Sequence, residues 1–207
     1  MDTITTACVG LVGIVLLYVI NENNSKDEIL GQFNNVIAYS NKYNLTKTSN
    51  ICDYNYINSS FGDIFCGIKW QCVEYARRYL ILTHNITFQS IDNAYQIFDL
   101  PYFTTLKHKK HVNIIKCLNG SKILPHIGSL LIWDKNYKKT GHVAIITSIY
   151  SDYITIAEQN YDTHSWNGKP YSRKLKIVGD NALALQSRFN DGYYIKSDNI
   201  LGWINFT

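Results

Sequence analysis

The chain has 207 residues, 46% of them hydrophobic and 17% charged, with a formal net charge of +4. That apolar content excludes a disordered chain, and the length suits one domain around one sizeable core. Five cysteines, an odd number with no C-x-x-C pair, exclude a disulfide-dense scaffold and favour a reducing compartment.

Thr3 to Ile20 carries no charge and is rich in Val, Ile and Leu. At about 1.5 Å per residue it nearly spans bilayer hydrocarbon, so a membrane anchor is expected, followed by a polar linker to residue 28. No Lys or Arg precedes this segment and no A-x-A site follows it, which argues against a cleaved signal. Lys26 on the far flank places the folded part in the cytosol by the positive-inside rule. Six Asn-x-Ser/Thr sequons, at Asn23, Asn44, Asn58, Asn85, Asn119 and Asn205, point instead to a secreted or lumenal domain.

Residues 29 to 207 hold no repeat and no Gly/Ser- or Pro-rich separator, so one domain is expected. Residues 29 to 43 mix apolar and polar positions as a short helix would. Residues 44 to 69 are rich in Asn, Ser, Asp and Gly and predict a loop. From Gln71 to Thr83 the period is helical: Cys72, Ala76, Tyr79, Leu80 and Thr83 share a face. A second helix is expected over Asp92 to Phe98, ended by Pro101. The positive excess is spread along the chain apart from Lys107-His108-Lys109-Lys110-His111, which reads as a solvated loop. A nucleic-acid partner is not expected from it. His108, His111 and Cys117 are metal-ligating types, but no fourth partner stands at a recognised spacing.

Beyond residue 122 the pattern turns to strands. Ser129 to Trp133 is a short apolar run. His142 to Tyr150 and Tyr153 to Tyr161 flank a Ser151-Asp152 turn, and Tyr193 to Ile195 and Ile200 to Phe206 follow. Helices first and a mostly antiparallel sheet afterwards make the class α+β.

Three segments carry chemistry: Cys72 at a helix start, His142 after Gly141 at the opening of a strand, and Glu158 at the end of the next strand. They are the inventory of a thiol nucleophile, its base and the group that orients the base. The helix start puts about half a positive charge beside the thiol, and an imidazolium lowers its pKa further. Each residue alone has a plainer reading, since buried cysteines pack and strand-end glutamates are solvated. With a two-residue turn at 151–152, opposed residues sum to 303 and Glu158 faces Ile145, three positions from His142. A bulge would change that register.

The runs Lys69-Trp70-Gln71-Cys72-Val73-Glu74-Tyr75-Ala76-Arg77-Arg78, Leu131-Ile132-Trp133-Asp134-Lys135, Thr140-Gly141-His142-Val143-Ala144-Ile145, Ala157-Glu158-Gln159-Asn160 and Leu201-Gly202-Trp203 occur in this order. Together they closely resemble the amidase domain of glutathionylspermidine synthetase/amidase and trypanothione synthetase, within the CHAP group of cysteine amidohydrolases and peptidases. The likeness covers roughly residues 60 to 207. It implies a papain-like cysteine hydrolase fold, with N-terminal helices packed on an antiparallel sheet, and a Cys72-His142-Glu158 triad. It implies that Arg77 binds the glutathionyl part of a substrate and that Asn160 supports the site. The Cys72 N–H is the expected oxyanion donor, and Gln71 is either a second donor or a packing and capping residue. The implied reaction is hydrolysis of a glutathione–polyamine amide through a thioester, with no metal, nucleotide or other cofactor. A peptide amide of peptidoglycan is the alternative substrate in this group. A membrane-anchored interaction protein is a third reading, and the intact Cys72, His142 and Glu158 argue against it.

Overall fold

A computed structural model describes residues 27–42, 53–60, 62–178, 184–188 and 199–207. The anchor expected over Thr3 to Ile20 and the strand expected over Tyr193 to Ile195 lie outside them. Among the described residues no helix is long and apolar enough to cross a membrane.

Two hairpins stand where a short helix and a loop are expected. β1 (Ile29–Phe33) and β2 (Val36–Tyr39) pair antiparallel around Asn34 and Asn35, whose φ values are 48° and 62°. Two left-handed central residues match the twist of flanking strands, and asparagine tolerates that conformation better than most residues. β3 (Tyr54–Ser59) and β4 (Gly62–Ile68) form the second hairpin. Tyr54 and Tyr56 alternate along β3 and both pack on Phe65, with ring centroids 5.7 and 5.6 Å away. That cross-strand aromatic packing overrides the Asn and Ser composition, which alone reads as loop.

α1 (Cys72–His84) follows and stops at Asn85, left-handed at φ 55°, whose N–H bonds the carbonyl of Ile81. Tyr75, Ala76, Tyr79 and Leu80 are buried in the core with Val143 and Ile145. Each large side chain gains roughly 1.5–3 kcal/mol from that burial. β5 (Ile86–Thr87) leads to a 3₁₀ helix, Ala94–Asp99, capped reciprocally by Asn93 and Gln96. It replaces the α-helix expected over 92–98. The expectation of N-terminal helices on a sheet is corrected accordingly: among the described residues the α-helical part is α1, preceded by strands.

β6 (Phe103–Thr105) and β7 (His111–Val112) join β5 in a small sheet. The main sheet uses β8 (Ile114–Leu118), β9 (Leu130–Trp133), β10 (His142–Ile149), β11 (Tyr153–Ala157), β12 (Arg173–Val178), β13 (Ala184–Arg188) and β14 (Ile200–Phe206). Their order is β13-β12-β11-β10-β9-β14-β8, every pair antiparallel. The class is α+β, as expected. Odd and even residues of β9 and β10 enter different cores: Leu130, Ile132, Val143 and Ile145 pack with α1, while Leu131, Trp133, Ala144 and Ile146 pack with Trp203 and Leu175.

One irregularity positions the site. Near the turn Ile149 faces Ile154, a pair summing to 303, but Ile146 faces Ile156 and Ile145 faces Ala157. A bulge between Ile146 and Ser148 shifts the register by one. Glu158 lies two residues beyond Ile156, on the same side as Ile146, Ala144 and His142. In the unshifted register it would face away from His142, because successive side chains point to opposite faces.

Candidate active site

Cys72 is the first residue of α1 and is buried. Its sulfur lies close enough to the His142 ring and to the main chain at Val143 and Val73 for all three to lower its pKa. His142 opens β10. Gly141 before it has φ 67°, and a Cβ there would sit 2.5 Å from the carbonyl oxygen of Trp133 and 2.9 Å from the Tyr95 nitrogen. Only glycine lets the chain pass so close and so aim the imidazole.

His142 Nε2 meets Glu158 Oε2 at 2.8 Å, which leaves Nδ1 for the sulfur. Glu158 is held from a second side by β12. Arg173 Nε donates to Oε1 at 2.6 Å, its terminal NH2 donates to Oε2 at 3.1 Å, and Ser172 Oγ donates to Oε1 at 2.8 Å. The guanidinium lies 3.5 Å from the centre of the Tyr161 ring. Cys72, His142, Glu158 and Arg173 thus form one chain of contacts, with every member buried.

Charge follows from this geometry. Burial pushes the Cys72 thiol up, but the His142 imidazolium and the main-chain donors outweigh it, and the net shift is downward. Burial pushes His142 down, while the Cys72 thiolate and Glu158 carry it up to about 9. Burial alone would raise Glu158, yet Arg173 and His142 hold it at about 2. The geometry thus favours a thiolate–imidazolium pair braced by a carboxylate. By contrast, burial pushes the Cys66 thiol up to about 11.

Gln71 is the N-cap of α1. Its side-chain oxygen accepts a hydrogen bond from Asn160 Nδ2, and Asn160 Oδ1 accepts one from Asn41 at 2.8 Å. The amide nitrogen of Gln71 is the polar end left for the adjoining cavity. Gln159, between the two, donates to Glu74 Oε2 at 2.9 Å and accepts from the Tyr39 N–H at 2.8 Å. Glu74 also pairs with Arg78 at 2.6 Å, one turn along the helix. This network locks the start of α1 against β2 and the residues after β11.

A cavity of about 460 Å³ opens beside the sulfur, with Gln71, Cys72, Arg77, Phe65, Tyr54 and Asp92 in its walls. Arg77 is buried between Phe65 and Phe88. It donates to the carbonyls of Cys66 at 2.6 Å and Gln89 at 3.2 Å, and burial lowers its pKa to about 10, so it stays cationic. Its Nε is buried without a partner.

The structure therefore brings together all six expected site residues: Cys72, His142 and Glu158 in contact, Gln71 and Asn160 joined beside them, and Arg77 across the cavity. Sequence reasoning missed Arg173, Ser172 and Gln159. Arg173 faces Ile156 across β11 and β12, a pairing between strands separated by a 15-residue connection. The alternation Arg173-x-Leu175-x-Ile177 was the one available signal that this arginine points inward.

The CHAP domain family matches residues 63–160, which include Cys72, His142 and Glu158. The chain contains a CHAP domain. It is homologous to the amidase region of "Bifunctional glutathionylspermidine synthetase/amidase" from Escherichia coli (strain K12), 36% identical over 174 residues. The same protein name from Shigella flexneri gives the same identity and length. "Trypanothione synthetase" from Crithidia fasciculata is 33% identical over 153 residues. These alignments cover 82%, 82% and 70% of this chain but 27%, 27% and 22% of the relatives, so the CHAP chain spans about a quarter of the proteins it matches.

Proposed function

We propose that this CHAP domain is a cysteine amidohydrolase whose substrate is a glutathione–polyamine conjugate of the glutathionylspermidine type. The observation that carries the reading is the buried contact chain from the Cys72 sulfur through His142 to Glu158, beside an open cavity. The names of the homologous proteins support the substrate class.

In the proposed reaction the Cys72 thiolate attacks the amide carbonyl carbon. The oxyanion is held by the Cys72 N–H at the helix start and by the Gln71 amide nitrogen. His142 gives its proton to the departing amine, the C–N bond breaks, and a thioester remains on Cys72. His142, now neutral, takes a proton from water. The hydroxyl adds to the thioester, the C–S bond breaks, and the acid is released with the thiolate restored. Glu158 keeps the imidazole oriented and stabilises its charged form throughout. Arg77 supplies the positive wall for a carboxylate-bearing acyl group.

The test incubates the chain with glutathionylspermidine and, in parallel, with peptidoglycan peptide fragments, and quantifies new amino termini or free polyamine. Spermidine release that disappears in Cys72→Ala is the expected result. Cleavage of the peptides alone would move the assignment to a wall peptidase. Failure of the folded protein to cleave either would reject it.

A further inference from the structure

Beyond the run Lys107–His111 the positive excess is not spread along the chain, as the run alone suggests, but gathers around it. Residues 100 to 133 hold five of the 20 Lys and Arg and none of the 16 Asp and Glu, which leaves the rest of the chain at −1 (15 against 16). All five are lysines, Lys107, Lys109, Lys110, Lys116 and Lys122, and all are exposed. The same stretch displays aliphatic side chains to solvent: Ile115, Leu118, Ile123, Leu124 and Ile127 are between 46% and 62% exposed.

These residues share one region of the fold. Lys107 to Lys110 form the tip between β6 and β7, and β7 runs on into β8 with one residue between. Asn205 of β14, the ladder partner of Ile115 in the edge strand β8, donates to the carbonyl of Leu124 at 2.9 Å and so ties the 123–127 segment to this edge of the sheet, where Lys116 and Leu118 project from the other face. Thr105, Val112, His126 and Ile127 line one shallow cavity together with His84. His84 ends α1 and Cys72 begins it, so about 18 Å of helix separates this region from the nucleophile.

We infer that this region is a docking face for an anionic lipid surface. The charge complementarity is direct, and the half-exposed Ile and Leu side chains are of a kind that enters the headgroup boundary. A protein partner fits less well: lysine is depleted at protein interfaces, and of the Trp, Tyr and Arg anchors that carry such interfaces residues 100 to 133 expose Tyr102 alone. A nucleic acid fits less well too, because beyond Tyr102, already stacked on His111, the large apolar side chains exposed among the lysines are aliphatic. None of the residues lining this shallow cavity lines the one beside Cys72. The inference is independent of which amide is cleaved.

The test uses the full chain and sedimentation with vesicles of phosphatidylcholine, with and without phosphatidylserine. Wild type is compared with Lys107→Glu/Lys109→Glu/Lys110→Glu and with Leu124→Ser/Ile127→Ser, so residues 3 to 20 are common to all samples. Wild type is expected to prefer the anionic vesicles, to lose that preference in high salt, and to weaken by at least about a hundredfold in the lysine variant. The aliphatic variant is expected to weaken binding while leaving turnover of a soluble substrate unchanged. Equal partitioning of wild type onto both vesicle types overturns the inference. So does unchanged binding of the lysine variant, which substitutes exposed positions and serves even if the aliphatic variant misfolds. Tighter binding of a labelled oligonucleotide than of anionic vesicles would overturn it in favour of nucleic acid.

Discussion

Replacing Arg173 by Met removes the guanidinium from Glu158 while keeping most of the side-chain volume. In the native protein Glu158 accepts from Arg173 at 2.6 and 3.1 Å, and both side chains are buried. Its carboxyl pKa falls from 4.5 to about 2, with Arg173 the chief cause opposing burial. That depression corresponds to about 3 kcal/mol of stability. Because the folded value is the lower one, this contribution is present above pH 4.5 and is lost as pH falls toward 2. In Arg173→Met burial dominates, the carboxyl titrates upward, and a protonated Glu158 cannot stabilise the imidazolium. Losing one buried charge-assisted bond on His142 costs about 1.5–3 kcal/mol, or roughly 10- to 150-fold in kcat. The assay is a pH–rate profile with denaturant melts at several pH values. The acid limb should move up by about a pH unit or more with KM little changed, and Arg173→Lys should recover part of the loss. The stability gap to wild type should be widest at neutral pH and close toward pH 2. If kcat falls at every pH with the limb unmoved, Arg173 is merely structural and the reasoning fails.

Iodoacetamide at neutral pH should modify Cys72 well before Cys66, since the imidazolium lowers one thiol and burial raises the other to about 11; mass spectrometry of tryptic peptides checks it. Turnover should decline on the alkaline side near pH 9, where His142 loses its proton and the thiolate its partner, as a plot of kcat/KM against pH would show. The same linkage makes the His142 contribution to stability complete below pH 6.5 and absent above about 9. Gly141→Ala should cost at least about 1–3 kcal/mol, from left-handed backbone and the contact with the Trp133 carbonyl, and should lower Tm by several degrees in calorimetry.

The candidate site was more legible in the sequence than the N-terminal half of the fold. Cys72, His142 and Glu158 each stand at the start or end of a strongly periodic element, so their residue types and order survive errors of a residue or two in boundaries. The β1–β2 and β3–β4 hairpins were not readable because their strands are short and their Asn and Ser content speaks for turns. Only the packing of Tyr54 and Tyr56 on Phe65 and of Val36 and Ala38 in the core decides for strand. For Arg173 spacing offers only the alternation with Leu175 and Ile177, which gives no partner. Its partner lies 15 residues earlier across a strand pair, and a buried arginine is unexpected until the carboxylate that it serves is in view.

The extra residue in β10 gives chain length a chemical meaning. Remove one position between His142 and Ile146, and every functional side chain would still be present when the letters are compared. With Ile146 still facing Ile156, His142 and Glu158 would nonetheless point to opposite faces of the sheet, and His142 would stand without a brace. An ancestor or descendant could thus lose its chemistry through a one-codon deletion that touches none of the reacting groups. Counting residues from His142 to the Ile146–Ser148 kink is therefore a better sign of a working copy than the motifs alone.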